Sequence, residues 1–256
     1  MVSRTALAQI KITELSRASL LEPSVPNLLS SEIHIWDFPL TIEGSLDRYS
    51  KLLSQDEVVR AARFRFEKDA RRFTVARASV RSILGAYVHC GGHDLHFEYS
   101  RQGKPSLDGI SPNIHFSVSH SGELAMLALA LDGEIGVDLE LMRPEVEIQK
   151  LSERFFSPAE RDSLRALSDN HRVAAFFRCW TCKEAFLKAQ GVGLSRSLDS
   201  FDVEVNPERP ARILATRPDA EEAQRWSMRD IPADAGYAAA LSARAAISSI
   251  QISRCR

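Results

Sequence analysis

Two short acidic segments in apolar surroundings hold the residues best suited to chemistry: Gly136-Val137-Asp138-Leu139-Glu140 and Trp180-Thr181-Cys182-Lys183-Glu184-Ala185-Phe186-Leu187-Lys188. Together they offer three carboxylates and two lysines. That mix suits an enzyme that holds a divalent cation against a phosphate-bearing substrate. On a strand, Asp138 and Glu140 share one side while Val137 and Leu139 take the other. The apolar pair packs inward and the acids share one opening, where a hard cation or a strong donor relieves their repulsion. A solvated edge strand with scattered acids would carry the same residues.

The second segment falls on a long helical pattern. Phe176, Trp180 and Leu187 form an apolar stripe, with Val173 above. Glu184 stands four residues after Trp180, close to that stripe, and a carboxylate there needs a partner. Lys188 at i+4 can supply one as an ordinary helix pair. Alternatively, Glu184 is a third acid aimed at a metal, with Lys183 and Lys188 holding phosphate. Trp180 and Phe186 read as core.

Three softer signals concern anions. Ser119 and His120 end a strand just before Ser121-Gly122, where hydroxyl, imidazole and open N–H groups can hold an anionic ligand. A Ser-His nucleophilic pair is the weaker idea, because adjacent strand residues point apart. Lys104 sits in a glycine-proline turn. Between Arg60 and Arg81, eight basic residues, Arg72 among them, face only Glu67 and Asp69. Such a stretch is either a solvated helix face or a phosphate site. No nucleic-acid-reading module surrounds it.

The elements that must position these groups follow from patterning. Of 256 residues, 44% are hydrophobic and the net charge is −1, which provides for one large or two small domains. No run of 18 uncharged apolar residues predicts a membrane span, and the first residues carry no secretory pattern. The four cysteines read as free thiols in a reducing cytoplasm. Residues 1–29 read as a loosely ordered extension. A strand is expected over 31–36, with Ile33 and Ile35 on one face and His34 and Trp36 on the other. Short helices follow at 46–53 and from a Ser54/Glu57 capping box to about Phe66. A longer helix over 68–88 is stopped by Gly91-Gly92. Strands at 95–99, 114–119, 124–131 and 135–139 come next, with a hairpin signal at Asp132-Gly133. Helices at 145–155, 158–168 and 171–190 precede strands at 201–205, 211–215, 223–228 and 237–242. The balance is α+β, with a largely antiparallel sheet in each half.

The pieces also occur in a telling order. Arg101-Gln102-Gly103-Lys104-Pro105 precedes Asn113-Ile114-His115-Phe116-Ser117-Val118-Ser119-His120-Ser121-Gly122. The first acidic segment follows, then Arg154-Phe155-Phe156-Ser157 with Glu160, the second acidic segment, and Gly191-Val192-Gly193-Leu194. Over roughly residues 31–245 this resembles the 4'-phosphopantetheinyl transferase superfamily, of the single-chain surfactin-synthetase-activating type. The resemblance implies a pseudo-dimer of two similar α/β subdomains, each with a mainly antiparallel sheet packed on a long helix. The halves would be 30–132 and 133–248, flanked by the extension and a tail over 249–256. It implies coenzyme A and magnesium in the cleft between them, and transfer of the phosphopantetheine arm to a serine of a carrier protein.

By motif match, Asp138, Glu140 and Glu184 are the metal ligands, Glu184 also the general base, and Lys188 the contact to the pyrophosphate. Ser119 and His120 match the 3'-phosphate and pyrophosphate region. Lys104 and Pro105 match the turn beside the adenine. Arg72 matches the arginine reaching the 3'-phosphate, with Arg60 nearby, and Lys183 joins the coenzyme A contacts. The implied partner is an apo carrier with an acidic helix, which Arg154, Arg161, Arg165 or Arg172 could meet. No nucleic acid or membrane is involved, and the single copy of each motif implies a monomer. Glu57 departs from the pattern, since relatives often carry lysine or arginine there. The rivals are another magnesium-dependent phosphoryl-transfer enzyme and a non-catalytic coenzyme A- or carrier-binding paralogue.

Overall fold

The structure is a computed structural model that describes residues 8–42, 44–109, 114–131, 133–143, 145–244 and 246–256. In chain order the elements are β1 (Gln9–Leu15), β2 (Glu32–Pro39), α1 (Asp47–Ser50), α2 (Gln55–Ala61), α3 (Glu67–Tyr87), β3 (Phe97–Tyr99), β4 (Pro105–Leu107), β5 (His115–Ser121), β6 (Leu124–Ala130) and β7 (Ile135–Leu141). Then come α4 (Ile148–Phe155), α5 (Pro158–Arg165), α6 (Asp169–Gln190), β8 (Phe201–Val203), β9 (Ile213–Thr216), β10 (Ser227–Asp230), β11 (Tyr237–Ala243) and β12 (Ser249–Cys255). No helix among the described residues is long and apolar enough to cross a membrane.

Two main sheets carry the site. One has five strands in the order β1-β12-β2-β6-β5, and the other has three in the order β10-β11-β7. The three-stranded sheet is antiparallel throughout, as is the β2-β6-β5 part of the larger one, while β1, β12 and β2 run parallel. The alternation read in β2 explains its central place. Ile33 and Ile35 join Met126, Ala128, Val137, Leu139, Leu241 and Ile252 in a core between the two sheets. Trp36 and Phe38 face the other way, onto Val80, Ile83 and Leu84 of α3. On the outer side of the three-stranded sheet, Phe176, Cys182, Phe186 and Leu187 of α6 pack with Met228 and Ala240. Each sheet is therefore covered by one long helix, the α+β arrangement of two similar halves.

Four expectations are corrected. Within the expected extension, residues 9–15 form a strand and Leu20 is fully buried. The expected tail is β12, inserted between β1 and β2, because Ile250 and Ile252 are apolar enough for the inter-sheet core. At the Asp132-Gly133 signal, β6 and β7 pair with different strands and in different sheets, so they form no hairpin. Asp132 itself lies outside the described residues, as does Asn113. Finally, α3 stops before the glycine pair: His89 takes a left-handed φ of 56° and the N–H of Cys90 closes onto the carbonyl of Gly85, a helix-terminating pattern.

Candidate active site

The edges of the two sheets meet at β5 and β7. No backbone ladder joins them. Instead the hydroxyls of Ser117, Ser119 and Ser121 accept the N–H groups of Val137, Leu139 and Leu141 at 3.1, 3.2 and 3.1 Å. The period of two on β5 puts all three serines on the same face. On β7, that period sends Val137 and Leu139 into the core and turns Asp138 and Glu140 toward α6.

Gly136 allows α6 to come close. A Cβ there would fall on the carbonyl oxygen of Ala185 and the backbone nitrogen of Ala189. This approach brings Glu184 and Lys188, one helical turn apart, over the strand. The Nζ of Lys188 donates to Asp138 Oδ1 at 2.7 Å and to Ser119 Oγ at 2.9 Å, and Ser119 donates its own proton to the same Asp138 oxygen at 2.9 Å. Among the described residues Lys188 thus forms its ion pair with Asp138, and not with Glu184, the i,i+4 partner expected on the helix. Glu140 accepts from Ser121 Oγ at 2.8 Å.

Asp138, Glu140, Glu184, Lys188, Ser119, His120, Val118 and Trp180 line one cleft. Burial raises the pKa of Glu184, the charges of Asp138 and Glu140 add to the rise, and Lys188 opposes it. Burial also raises that of Glu140, against the hydrogen bond from Ser121. Asp138 Oδ2 is buried without a partner. Among the described residues, no three metal-binding side chains already converge on one point. An orphaned carboxylate oxygen beside two acids that resist ionisation is still a donor set that fits a hard cation.

Val118 and His120 also belong to a basic cavity of about 640 Å³, walled by Arg60, Arg72, Arg77, Phe64 and Phe73. Burial and the charge of Lys188 lower the pKa of His120. Arg60 lies over the ring of Phe73 at 5.2 Å. Arg72 is paired with Glu123, which also takes Lys68 at 3.3 Å. The N–H of Glu123 is held by Tyr237 Oη at 3.1 Å, so the second half of the molecule fixes this turn.

Toward the start of β5, Lys104, Pro105, Ser117 and Lys188 line a pocket of about 220 Å³. Lys104 is tied down there, donating to the carbonyls of Ile135 and Ala189 at 3.1 and 2.9 Å, and burial lowers its pKa. Asp138, Glu140, Glu184, Lys188, Ser119 and His120 are therefore brought together, with Arg60 and Arg72 in the adjoining cavity and Lys104 and Pro105 beside it.

Lys183 is placed elsewhere. It is fully buried, donating to Glu160 Oε1 at 2.6 Å and to the carbonyl of Phe201 at 2.7 Å. One residue along a helix turns the side chain by about 100°, which sends Lys183 away from the cleft that Glu184 faces. Trp180 borders the cleft and also packs against Phe155 and Phe176. Glu57, out of pattern in the sequence, is buried and paired with Arg77 and Arg81. In the sequence Arg77 is marked only by the basic stretch, and Glu123 and Tyr237 carry no local motif. The Ser-x-Ser-x-Ser alternation was the one legible sign of the rungs between β5 and β7.

Comparison with known proteins accords with this geometry. The family model described as 4'-phosphopantetheinyl transferase superfamily matches residues 134–242, and that described as 4'-phosphopantetheinyl transferase, N-terminal, matches residues 40–131. The chain is 39% identical to the 4'-phosphopantetheinyl transferase HetI of Nostoc sp. over 86% of its own length and 91% of that protein's. It is 33% identical to the 4'-phosphopantetheinyl transferase Sfp of Bacillus subtilis, over 69% of this chain and 77% of that one. With the acidic cleft and basic cavity built from the segments these matches span, the chain belongs to the 4'-phosphopantetheinyl transferase superfamily.

Proposed function

We propose that the chain moves the 4'-phosphopantetheine arm of coenzyme A onto a serine hydroxyl of an apo acyl, peptidyl or polyketide carrier protein. The observation that carries this reading is the convergence of Asp138, Glu140, Glu184 and Lys188 on one cleft that opens into a basic cavity. The serine oxygen attacks the β-phosphorus of the coenzyme A pyrophosphate. The bond to adenosine 3',5'-bisphosphate breaks and that product leaves.

Glu184 takes the serine proton, a role to which its raised pKa is suited. Asp138, through its unpartnered Oδ2, together with Glu140 and Glu184 would hold magnesium. The ion supplies positive charge that stabilises the phosphate oxygens as the bond changes. Lys188 balances the acids and lies beside the pyrophosphate. Ser119 fixes both Lys188 and Asp138 by accepting from one and donating to the other. Arg60, Arg72 and His120 bind the remaining phosphate, and Lys104 and Pro105 border the adenine. One chain supplies both walls of the cleft, which supports a monomer as the working unit.

Incubation of the protein with coenzyme A, magnesium and a panel of apo carriers tests the reading by mass spectrometry. The expected result is one phosphopantetheine added per carrier. Chelation should abolish it, and Glu184→Gln should lower it by about 10²–10⁴-fold. No transfer to any carrier, alongside turnover of ATP or another phosphate donor, would move the chain to the rival phosphoryl-transfer reading.

A further inference from the structure

Arg72 stands between two cavities. One is the basic cavity of about 640 Å³ beside the carboxylate cleft. The other, of about 350 Å³, is walled by Thr41, Ile42, Lys68, Arg71 and Val75. An arginine on such a partition can serve either side, because its long stem leaves many rotamers open. Glu123 limits that freedom. Its carboxylate accepts from Nε of Arg72 at 3.3 Å and from Nη2 of the same side chain. This two-point pair occupies one edge of the planar guanidinium and turns the Nη1 end away from Glu123. Neither cavity wall includes Glu123, which also takes Lys68 Nζ at 3.3 Å.

The backbone of Glu123 is itself held from two sides. Its carbonyl accepts the N–H of Leu40 at 2.7 Å, and its N–H donates to Tyr237 Oη at 3.1 Å. Gly122, just before it, has a left-handed φ of 58°, and a Cβ there would stand 2.6 Å from Tyr237 Oη. The turn therefore closes on the tyrosine with no side chain between them. Tyr237 opens β11 and pairs with Leu141 of β7, the residue after Glu140. Ser121, on the other side of Gly122, donates to Glu140. One three-residue turn thus joins Arg72 to the carboxylate cleft.

We propose that Glu123 and Tyr237 are positioning residues for the 3'-phosphate of coenzyme A: Tyr237 fixes the turn, and Glu123 holds the Arg72 guanidinium ready at the basic cavity. This rests on the transfer reading above and adds what orients its phosphate contact. Fixing Arg72 before the ligand arrives spares rotamer entropy that binding would otherwise cost. Because the same turn carries Ser121, the phosphate site and the carboxylate cleft keep a fixed spacing.

The test measures the affinity of the full chain for adenosine 3',5'-bisphosphate by titration calorimetry, and KM for coenzyme A during arm transfer. Glu123→Ala is made in wild type and in Arg72→Ala, and Tyr237→Phe in wild type. Thermal melting checks that each variant folds. Glu123→Ala should weaken bisphosphate binding and raise KM for coenzyme A by about tenfold, and Tyr237→Phe by about threefold, with kcat unchanged. In the Arg72→Ala background, Glu123→Ala should have no further effect, since it acts through that arginine. Unchanged affinity in Glu123→Ala would overturn the proposal. So would tighter binding, which would make the carboxylate a competitor of the phosphate. An equal loss in both backgrounds would show that Glu123 only supports the fold, and wild-type affinity in Tyr237→Phe would remove the tyrosine from the arrangement. A chain that transfers no arm to any carrier but keeps this pattern of bisphosphate affinities would sink the transfer reading and leave the positioning roles standing.

Discussion

Gly136 of β7 lies directly beneath Ala185 of α6, with no room for a side chain between them. A Cβ added there would also stand 2.9 Å from the Cα of Ala189. The obstacles are backbone atoms of a buried helix, which cannot rotate aside. Gly136→Ala should therefore lift α6 off the strand and cost about 3 kcal/mol. Because Glu184 and Lys188 ride on the same helix, arm transfer should fall further than stability alone explains. Thermal melting and carrier modification, measured on protein that remains folded, separate the two effects.

Lys188 is the only cation bonded to Asp138 among the described residues. Lys188→Met keeps the stem but leaves Asp138 beside Glu140 and Glu184 without a counter-charge. The expected result is a loss of about 10²–10³-fold in kcat/KM for coenzyme A. A transfer rate within threefold of wild type would show that Lys188 only supports Asp138.

Lys183 gives the opposite expectation. Its partner Glu160 also accepts the N–H of Val203 at 2.8 Å, and both charges are buried. Lys183→Met leaves that carboxylate without its cation and should cost roughly 3–5 kcal/mol. KM for coenzyme A, measured well below the melting point, should stay at the wild-type value. A raised KM would restore Lys183 to the cofactor contacts.

His34 makes stability depend on pH. Its ring is buried, with Nδ1 at 2.7 Å from Tyr87 Oη, and burial lowers its pKa below 6.5 while Glu32 opposes the shift. The unfolded chain takes up this proton near pH 6.5 and the folded chain only at lower pH. Stability from neutral His34 is therefore full above about pH 6.5 and declines as pH falls toward the folded pKa. His120, also lowered, adds to the same slope. Urea midpoints between pH 7.5 and 5 should fall in wild type and fall less steeply in His34→Asn.

Much of this was legible in the sequence because local periodicity reports local geometry. The period of two placed Asp138 and Glu140 together, and the Ser54/Glu57 capping box fixed one helix start. Lys183 departs from its expected place because neighbours on a helix read as one motif while their side chains diverge. Glu57 looked like a gap in a basic surface, since its partners Arg77 and Arg81 lie a helix away and 20 or more positions on. The strand role of residues 249–255 was hidden for the same reason: what makes β12 a strand is a pair of distant neighbours, β1 and β2.

That strand sets an order of events. Glu32 of β2 meets Ser249 of β12 across 217 positions, and β1 reaches the sheet only through β12. During synthesis, the earliest strand must wait for the last one before it has anything to pair with. The larger sheet closes only when β12 enters between β1 and β2, so its assembly is slow and non-local, and a polypeptide released before β12 would leave the hydrogen-bonding edge of β2 unpaired.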